Sequence, residues 1–136
     1  MTSKTAIVTG AGTGIGKSTA IALLKAGWNT VFCGRRKAVL EAAIADAGET
    51  KAKALALACD ITRPEDVDAL FGEVVEAFGR VDLLFNNAGM GYKSTTIDEI
   101  PVEAWHDVVD VNLTGSFLCA RAAFAMMRHQ RPMGGR

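Results

Sequence analysis

Cysteine and histidine are scarce in this chain of 136 residues. The three cysteines (Cys33, Cys59 and Cys119) are widely separated and form no Cys-x-x-Cys pair. This usage argues against a disulfide framework and is typical of the reducing cytoplasm, where we expect the protein to reside. The two histidines, His106 and His129, have no spacing typical of metal ligands. We therefore expect no metal site.

An excess of either charge is also absent. Fifteen basic and fifteen acidic side chains give a net charge of zero, which offers no basic surface for nucleic acid. Long uninterrupted apolar runs are missing as well, since Arg121 interrupts residues 117–127, so we expect no membrane span. A hydrophobic content of 49% nevertheless indicates a folded chain, and the length allows one domain.

Apolar runs alternate with segments of helical spacing along the chain. The predicted strands are residues 5–9, 30–33, 54–59 and 81–85, and the predicted helices are residues 14–26, 37–47, 64–78 and 101–128. This alternation predicts an α/β fold with a parallel sheet and helices on its faces. The loop 86–100 is long enough for us to expect a functional role.

A glycine-rich turn, residues 10–16, separates the first predicted strand from the first predicted helix. Glycines let the backbone approach a phosphate, and the helix start supplies free N–H groups, so the turn predicts a nucleotide site. One interpretation is a P-loop in which Lys17 neutralises phosphates, Ser18 holds Mg²⁺ and Asp60 is a second ligand, although Ala11 replaces the first glycine. The alternative is a dinucleotide site with a wider glycine spacing than Gly-x-Gly-x-x-Gly.

The interpretation as a dinucleotide site is supported by a resemblance that covers the whole chain. Thr-Gly-x-x-x-Gly-Ile-Gly at residues 9–16 resembles the cofactor fingerprint of short-chain dehydrogenases/reductases. Further matches follow in the family's order: Gly34-Arg35-Arg36, Cys59-Asp60-Ile61, Asn86-Asn87-Ala88-Gly89 and Asn112. The resemblance implies a Rossmann-type doubly wound sheet with strand order 3-2-1-4. It also implies hydride transfer between a nicotinamide cofactor and a small alcohol or carbonyl substrate, and a homo-oligomer (dimer or tetramer) formed through the last helix.

The resemblance assigns roles to individual residues. The residues implied to hold the pyrophosphate and adjacent ribose are Gly10, Thr13, Gly14, Ile15 and Gly16. Asp60 and Ile61 would contact the adenine, although an alternative role for Asp60 is to cap the following helix. Asn87, Ala88 and Gly89 would border the nicotinamide-side ribose, and Asn87 is also suited to tie neighbouring strands together. Asn112 would bend the last helix and help to position a water in the proton relay.

The turn after the second strand bears on cofactor choice. An NAD site usually places an acid about 20 residues after the glycines to bind the ribose 2′-hydroxyl. No acid occurs between Gly16 and Glu41, and Arg35 and Arg36 stand in that region. Because arginine offers a planar fork for a 2′-phosphate, we predict NADP(H) rather than NAD(H). A solvated basic turn is the alternative.

The family's catalytic serine and Tyr-x-x-x-Lys pair have no counterpart here. The single tyrosine, Tyr92, is followed by Lys93 at +1, a spacing that does not place two side chains on one helix face. We expect residues 1–136 to be one domain that stops before strand 5, with residues 131–136 turning toward it, and to be inactive alone. We also expect an open edge at strand 4 and a mobile or self-associating end. A Mg²⁺-dependent nucleotide hydrolase and a non-catalytic nucleotide-binding module remain as alternatives.

Overall fold

The computed structural model describes residues 3–136 and shows a four-stranded parallel sheet flanked by helices. The strands are β1 (Thr5–Thr9), β2 (Asn29–Gly34), β3 (Ala54–Ala58) and β4 (Leu83–Phe85). The helices are α1 (Gly14–Lys25), α2 (Lys37–Asp46), α3 (Pro64–Phe78), α4 (Val102–Val109) and α5 (Ser116–His129). The strand order is β3-β2-β1-β4, which confirms the predicted Rossmann-type arrangement.

Two apolar layers cover the two faces of the sheet. Ile7 of β1 and its partner Val31 of β2 belong to the layer shared with α3 and α5. Their chain neighbours Val8 and Phe32 belong to the layer shared with α1 and α2. Successive strand residues point to opposite faces, so β1, buried along its whole length, is apolar on both sides. This double burial explains why β1 reads as a continuous apolar run.

Strand β4 starts at Leu83, two residues later than predicted, and the two residues before it are bonded to side chains. The backbone N–H of Val81 donates to the Gln130 side chain, and the Gln130 amide donates to the carbonyl of Val81. Asp82 forms an ion pair with Arg80 and accepts a bond from the N–H of Thr5 at 2.9 Å. The N–H of Asp82 also donates to the carbonyl of Thr5 at 2.8 Å, and the paired register with β1 runs from Leu83 to Phe85.

The last helical run is not uniform. A π-helical turn, Asp110–Gly115, joins α4 to α5 and contains Asn112, where the resemblance implied a bend. A Cβ at Gly115 would lie 2.7 Å from the side chain of Ile61, so only glycine allows this close approach. The loop before α4 also contains a short 3₁₀ helix, Ile97–Glu99, which the sequence did not predict.

The chain's last residue lies on the outer edge of β4. The N–H of Arg136 donates to the carbonyl of Asp82 at 2.9 Å, and the N–H of Leu84 donates to the carbonyl of Arg136 at 2.8 Å. This pattern is that of a parallel ladder. The edge that was expected to be open is therefore paired at this point.

The expectation that no segment is apolar enough to cross a membrane needs correction. The run Val102–His129 has 28 residues, and its most apolar window of 18 residues has a mean hydropathy of 1.2. Length and composition alone do not separate a membrane helix from a helix that packs in a core. Leu118, Cys119 and Ala123 of this run are buried against the sheet.

Candidate functional site

The glycine turn between β1 and α1 is tightly packed against the chain that leaves β4. Gly10 and Gly14 have positive φ angles of 64° and 56°, which glycine adopts without strain. A Cβ at Gly16 would overlap the carbonyl oxygen of Gly10, and a Cβ at Gly10 would lie 3.0 Å from the Cα of Ala88. Helix α1 begins at Gly14 without a side-chain cap from Thr13. The turn thus presents uncapped N–H groups of α1 to a phosphate.

Thr9, at the end of β1, connects the glycine turn to β4. Its hydroxyl donates to the carbonyl of Phe85 and accepts bonds from the N–H groups of Asn87 and Ala88, both at 3.0 Å. The Asn87 side chain donates to the carbonyls of Thr9 and Gly10 at 3.2 and 3.4 Å. The side-chain amide of Asn87 therefore joins the ends of β1 and β4. This is the structural role that was expected for Asn87 beside a contact with the cofactor.

Asp60, directly after β3, presents one carboxylate oxygen to the site. Its Oδ1 accepts bonds from the Thr62 hydroxyl at 2.7 Å and the Thr62 N–H at 3.0 Å. These bonds hold the pKa of the Asp60 carboxyl below its usual value, so the group is ionised at neutral pH. Within residues 3–136 no protein donor bonds to Oδ2 of Asp60. The carboxylate does not cap α3; instead, Asp66 within α3 accepts the N–H of Asp60.

Two small cavities meet at the carboxyl ends of β1, β2 and β3. The first, of about 170 Å³, is lined by Gly10, Cys33, Gly34, Arg35, Cys59, Asp60, Ile61, Ala88, Gly89, Met90 and Val111. The second, of about 140 Å³, is lined by Gly10, Gly12, Thr13, Gly34, Arg35, Arg36, Val39 and Leu40. We name them the base cavity and the arginine cavity. Arg35 lines both, and both arginines are exposed and form no ion pair with any residue of 3–136.

Asn112 holds the loop that follows β4. Its Oδ1 accepts the N–H of Met90, and its Nδ2 donates to the carbonyl of Met90, both at 2.8 Å. A Cβ at Gly89 would lie 3.3 Å from this Oδ1. The side-chain amide therefore uses one donor and one acceptor to hold the backbone of the loop.

Two sequence candidates are engaged elsewhere. The Lys17 ammonium forms an ion pair with Asp46 at the end of α2, which argues against a P-loop lysine. The Lys93 ammonium lies 6.0 Å from the centre of the Tyr92 ring rather than beside its hydroxyl. Tyr92 is 41% exposed in the loop after β4. The structure thus brings no acid–base pair together at Tyr92.

A larger cavity is remote from these residues. It measures about 590 Å³ and lies beneath the amino ends of the strands, lined by Lys4, Trp28, Arg80, Asp82 and residues 132–136. Ligands of open parallel sheets bind outside the carboxyl ends of the strands, which favours the two smaller cavities. The described part of the chain contains no cluster of three or more His, Cys, Asp or Glu suited to a metal ion.

Comparison with known proteins decides the family. The model of the short chain dehydrogenase family matches residues 4–135. The chain belongs to the short-chain dehydrogenase/reductase family. It is 36% identical over 132 residues to a 3beta-hydroxysteroid dehydrogenase of Mediterraneibacter gnavus. The matched region covers 97% of this chain and 47% of that relative. The chain spans about half the length of the curated relatives it matches.

Solved structures of this family share the fold. A 3-ketoacyl-(acyl-carrier-protein) reductase from Brucella melitensis complexed with NADH has a TM-score of 0.87 at 35% identity, over 93% of this chain and 51% of that one. A metagenomic short-chain oxidoreductase in complex with NADP has a TM-score of 0.90 at 30% identity, over 98% of this chain and 60% of that one. Family membership favours the dinucleotide interpretation of the glycine turn over the P-loop.

The fold gathers most residues that the resemblance singled out at one edge of the sheet. The candidates that line the base cavity are Gly10, Asp60, Ile61, Ala88 and Gly89, and Asn112 supports its wall through Met90. Thr13, Arg35 and Arg36 line the arginine cavity, whereas Gly14, Ile15, Gly16 and Asn87 line neither. The sequence analysis missed the lining role of Cys33, Cys59 and Val111. Strand and helix patterns mark such residues only as core, so no signal in the sequence alone distinguishes them.

Proposed function

We propose that this chain is the cofactor-binding portion of an NADP(H)-preferring short-chain dehydrogenase/reductase acting on an alcohol or carbonyl compound. The observation that carries the proposal is the pair of adjoining cavities at the carboxyl ends of β1–β3, one beside the ionised Asp60 and one beside Arg35 and Arg36. Family membership and the nicotinamide cofactors of related structures support it.

The residues of the site fit a dinucleotide. The glycine turn has no room for side chains at Gly10 and Gly16, and its uncapped α1 N–H groups suit the pyrophosphate. Oδ2 of Asp60 is available to accept a bond from the adenine amino group, and buried Ile61 offers the base an apolar contact. When bound, the nicotinamide gives or takes the hydride. We assign Ala88 and Gly89, held by Thr9 and Asn112, to the border of its ribose.

The preference for NADP(H) rests on charge at the arginine cavity. Arg35 and Arg36 are exposed at the end of β2, and the described ion pairs leave both guanidinium groups available. A guanidinium binds a 2′-phosphate with two parallel bonds, whereas an NAD site needs a carboxylate for the 2′-hydroxyl. Thr13 and Gly12 also line this cavity.

Calorimetric titration with NADPH and NADH tests the preference. We expect the wild-type chain to bind NADPH more tightly than NADH by about tenfold, and Arg35→Glu to reverse the order, because a carboxylate repels the 2′-phosphate and accepts the 2′-hydroxyl. Lys51→Glu makes the same charge change at an exposed loop before β3 and should preserve the order. If the wild-type chain bound NADH more tightly than NADPH, the proposed preference for NADP(H) would be wrong, while the assignment of a nicotinamide dinucleotide as cofactor would stand.

We also propose that residues 1–136 bind cofactor without turnover. They contain no Tyr-x-x-x-Lys pair, and Tyr92 has neither a lysine at +4 nor an ammonium at its hydroxyl. Asn112 then acts as a positioning residue that fixes Met90 beside the base cavity. We further propose a cytoplasmic homo-oligomer for the whole protein, in which the run Val102–His129 packs against protein and does not cross a membrane.

A further inference from the structure

Thr62 holds one oxygen of the Asp60 carboxylate in place. Its hydroxyl donates to Oδ1 of Asp60 at 2.7 Å, and its N–H donates to the same oxygen at 3.0 Å. Asp66 of α3 accepts the N–H of Asp60 at 3.0 Å, so the backbone of Asp60 is fixed as well. Because Oδ1 is bonded twice by one neighbour, the rotation of the carboxylate is set, and Oδ2 is the oxygen that a ligand can reach.

The residue after Asp60 adds a donor beside this acceptor. Ile61 is 7% exposed, and within residues 3–136 no acceptor bonds to its N–H. Asp60 and Ile61 both line the base cavity. A main-chain N–H is an obligatory donor, so this one is available to an acceptor on a ligand. The cavity therefore offers an acceptor from Asp60 next to a donor from Ile61.

This pair of groups distinguishes two kinds of purine. A 6-aminopurine such as adenine has an amino donor at C6 beside an unprotonated N1, whereas a 6-oxopurine such as hypoxanthine has a carbonyl acceptor at C6 beside a protonated N1. A carboxylate held against the 6-oxo group faces a second acceptor and loses its hydrogen bond. A carboxylate that rotates freely can turn instead toward the N1–H. Discrimination therefore depends on how firmly Asp60 is held.

We propose that Thr62 is a positioning residue for base selection: by holding Oδ1 of Asp60, it makes the base cavity favour a 6-aminopurine dinucleotide over its 6-oxopurine analogue. The inference rests on the proposed function, which places the adenine of NADP(H) in this cavity. Thr62 acts through Asp60 and does not itself line the cavity. The hydrogen bond from the Thr62 hydroxyl also lowers the pKa of Asp60, which keeps the carboxylate in its acceptor-only form.

Calorimetric titration with NADPH and with reduced nicotinamide hypoxanthine dinucleotide phosphate tests base selection. The two ligands differ only at C6 and N1 of the purine, so the contributions of the phosphates and the nicotinamide cancel in the ratio of affinities. We expect the wild-type chain to bind NADPH at least about tenfold more tightly, and Thr62→Val to reduce this ratio by at least about threefold. Thr62→Ser, which keeps the hydroxyl, should retain the wild-type ratio. Thr50→Val removes a hydroxyl bonded to the carbonyl of Ala52, before β3, and should leave the ratio unchanged.

An NMR titration of the Asp60 carboxyl gives a second readout that needs no ligand. Thr62→Val should raise the pKa of Asp60 toward its usual value because a donor to the carboxylate is lost, whereas Thr62→Ser should keep the pKa low. The same spectra show whether each variant is folded.

Three results would overturn the proposal: an unchanged pKa of Asp60 in Thr62→Val, an unchanged ratio of affinities in that variant, or equal binding of the two dinucleotides by the wild-type chain. Each of these leaves the proposed function standing as long as NADPH binds. Failure of the wild-type chain to bind NADPH would refute the proposed function instead, and the titration of Asp60 would still decide whether Thr62 holds the carboxylate.

Discussion

Two threonines of β1 have the same burial but opposite hydrogen-bonding states. The hydroxyl of Thr5 is completely buried and has no partner among residues 3–136, whereas the hydroxyl of Thr9, equally buried, makes three bonds to the segment 85–88. An unpaired buried hydroxyl costs stability, while removing a shared acceptor leaves its donors unpaired.

This contrast gives a prediction at the scale of single residues. Thr5→Val should raise the free energy of unfolding by about 1 kcal/mol. Thr9→Val should lower it by about 2 kcal/mol, because the N–H of Ala88 loses its acceptor and the carbonyl of Phe85 loses a donor. Urea denaturation of the two variants and the wild type measures both. A loss of stability in Thr5→Val as large as that in Thr9→Val would show that the hydroxyl of Thr5 has a partner.

At the scale of elements, α3 contains two glycines with opposite requirements. Gly72 is exposed in the middle of the helix with open space around the position of a Cβ, and Gly79 ends the helix at a φ of +73°. Gly72→Ala should stabilise the chain by about 1 kcal/mol by lowering the entropy of the unfolded state. Gly79→Ala should destabilise it by about 1 kcal/mol because alanine is strained there. Thermal unfolding of both variants tests this, and a stabilised Gly79→Ala would contradict the assigned helix end.

Most elements could be predicted from the sequence because each signal is local. Pro64 and Gly79 bracket α3, and the doubly buried β1 is a short apolar run next to the glycine turn. The contacts that complete the site join distant parts of the chain and have no local signal. Asn112 bonds to Met90 across 22 positions, and Cys33 meets Cys59 at one cavity only because β2 and β3 pair in a particular register. The bonds between Val81, just before β4, and Gln130 likewise join residues 49 positions apart.

At the scale of the whole molecule, the last helical run leaves an apolar face exposed. Trp105, Leu113, Phe117 and Phe124 are 59–68% exposed, and the Arg121 guanidinium lies over the ring of Phe117 at 5.7 Å. Phe117, Arg121 and Phe124 share one helix face by their spacing. Exposed apolar patches of this kind mark surfaces that pack against other protein. We expect the predicted self-association to use this face.

Analytical ultracentrifugation checks that assignment. The wild-type chain should associate as its concentration rises, and Phe117→Glu combined with Phe124→Glu should weaken association by about tenfold or more, since a buried charge at an interface is costly. Ile97→Glu changes an even more exposed apolar residue in the loop before α4 and serves as the control. Association that is unchanged in the double variant, or lost in the control, would place the contact elsewhere.

The central claim is that the carboxyl edge of this sheet binds a nicotinamide dinucleotide. Titration of the isotopically labelled chain with NADPH, followed by amide NMR shifts, tests it most directly. We predict saturable shifts in residues 10–16, 34–36, 60–61 and 87–89, and none in the loop around Lys51. A folded chain without saturable shifts, or shifts confined to the large cavity around Trp28, would contradict the claim.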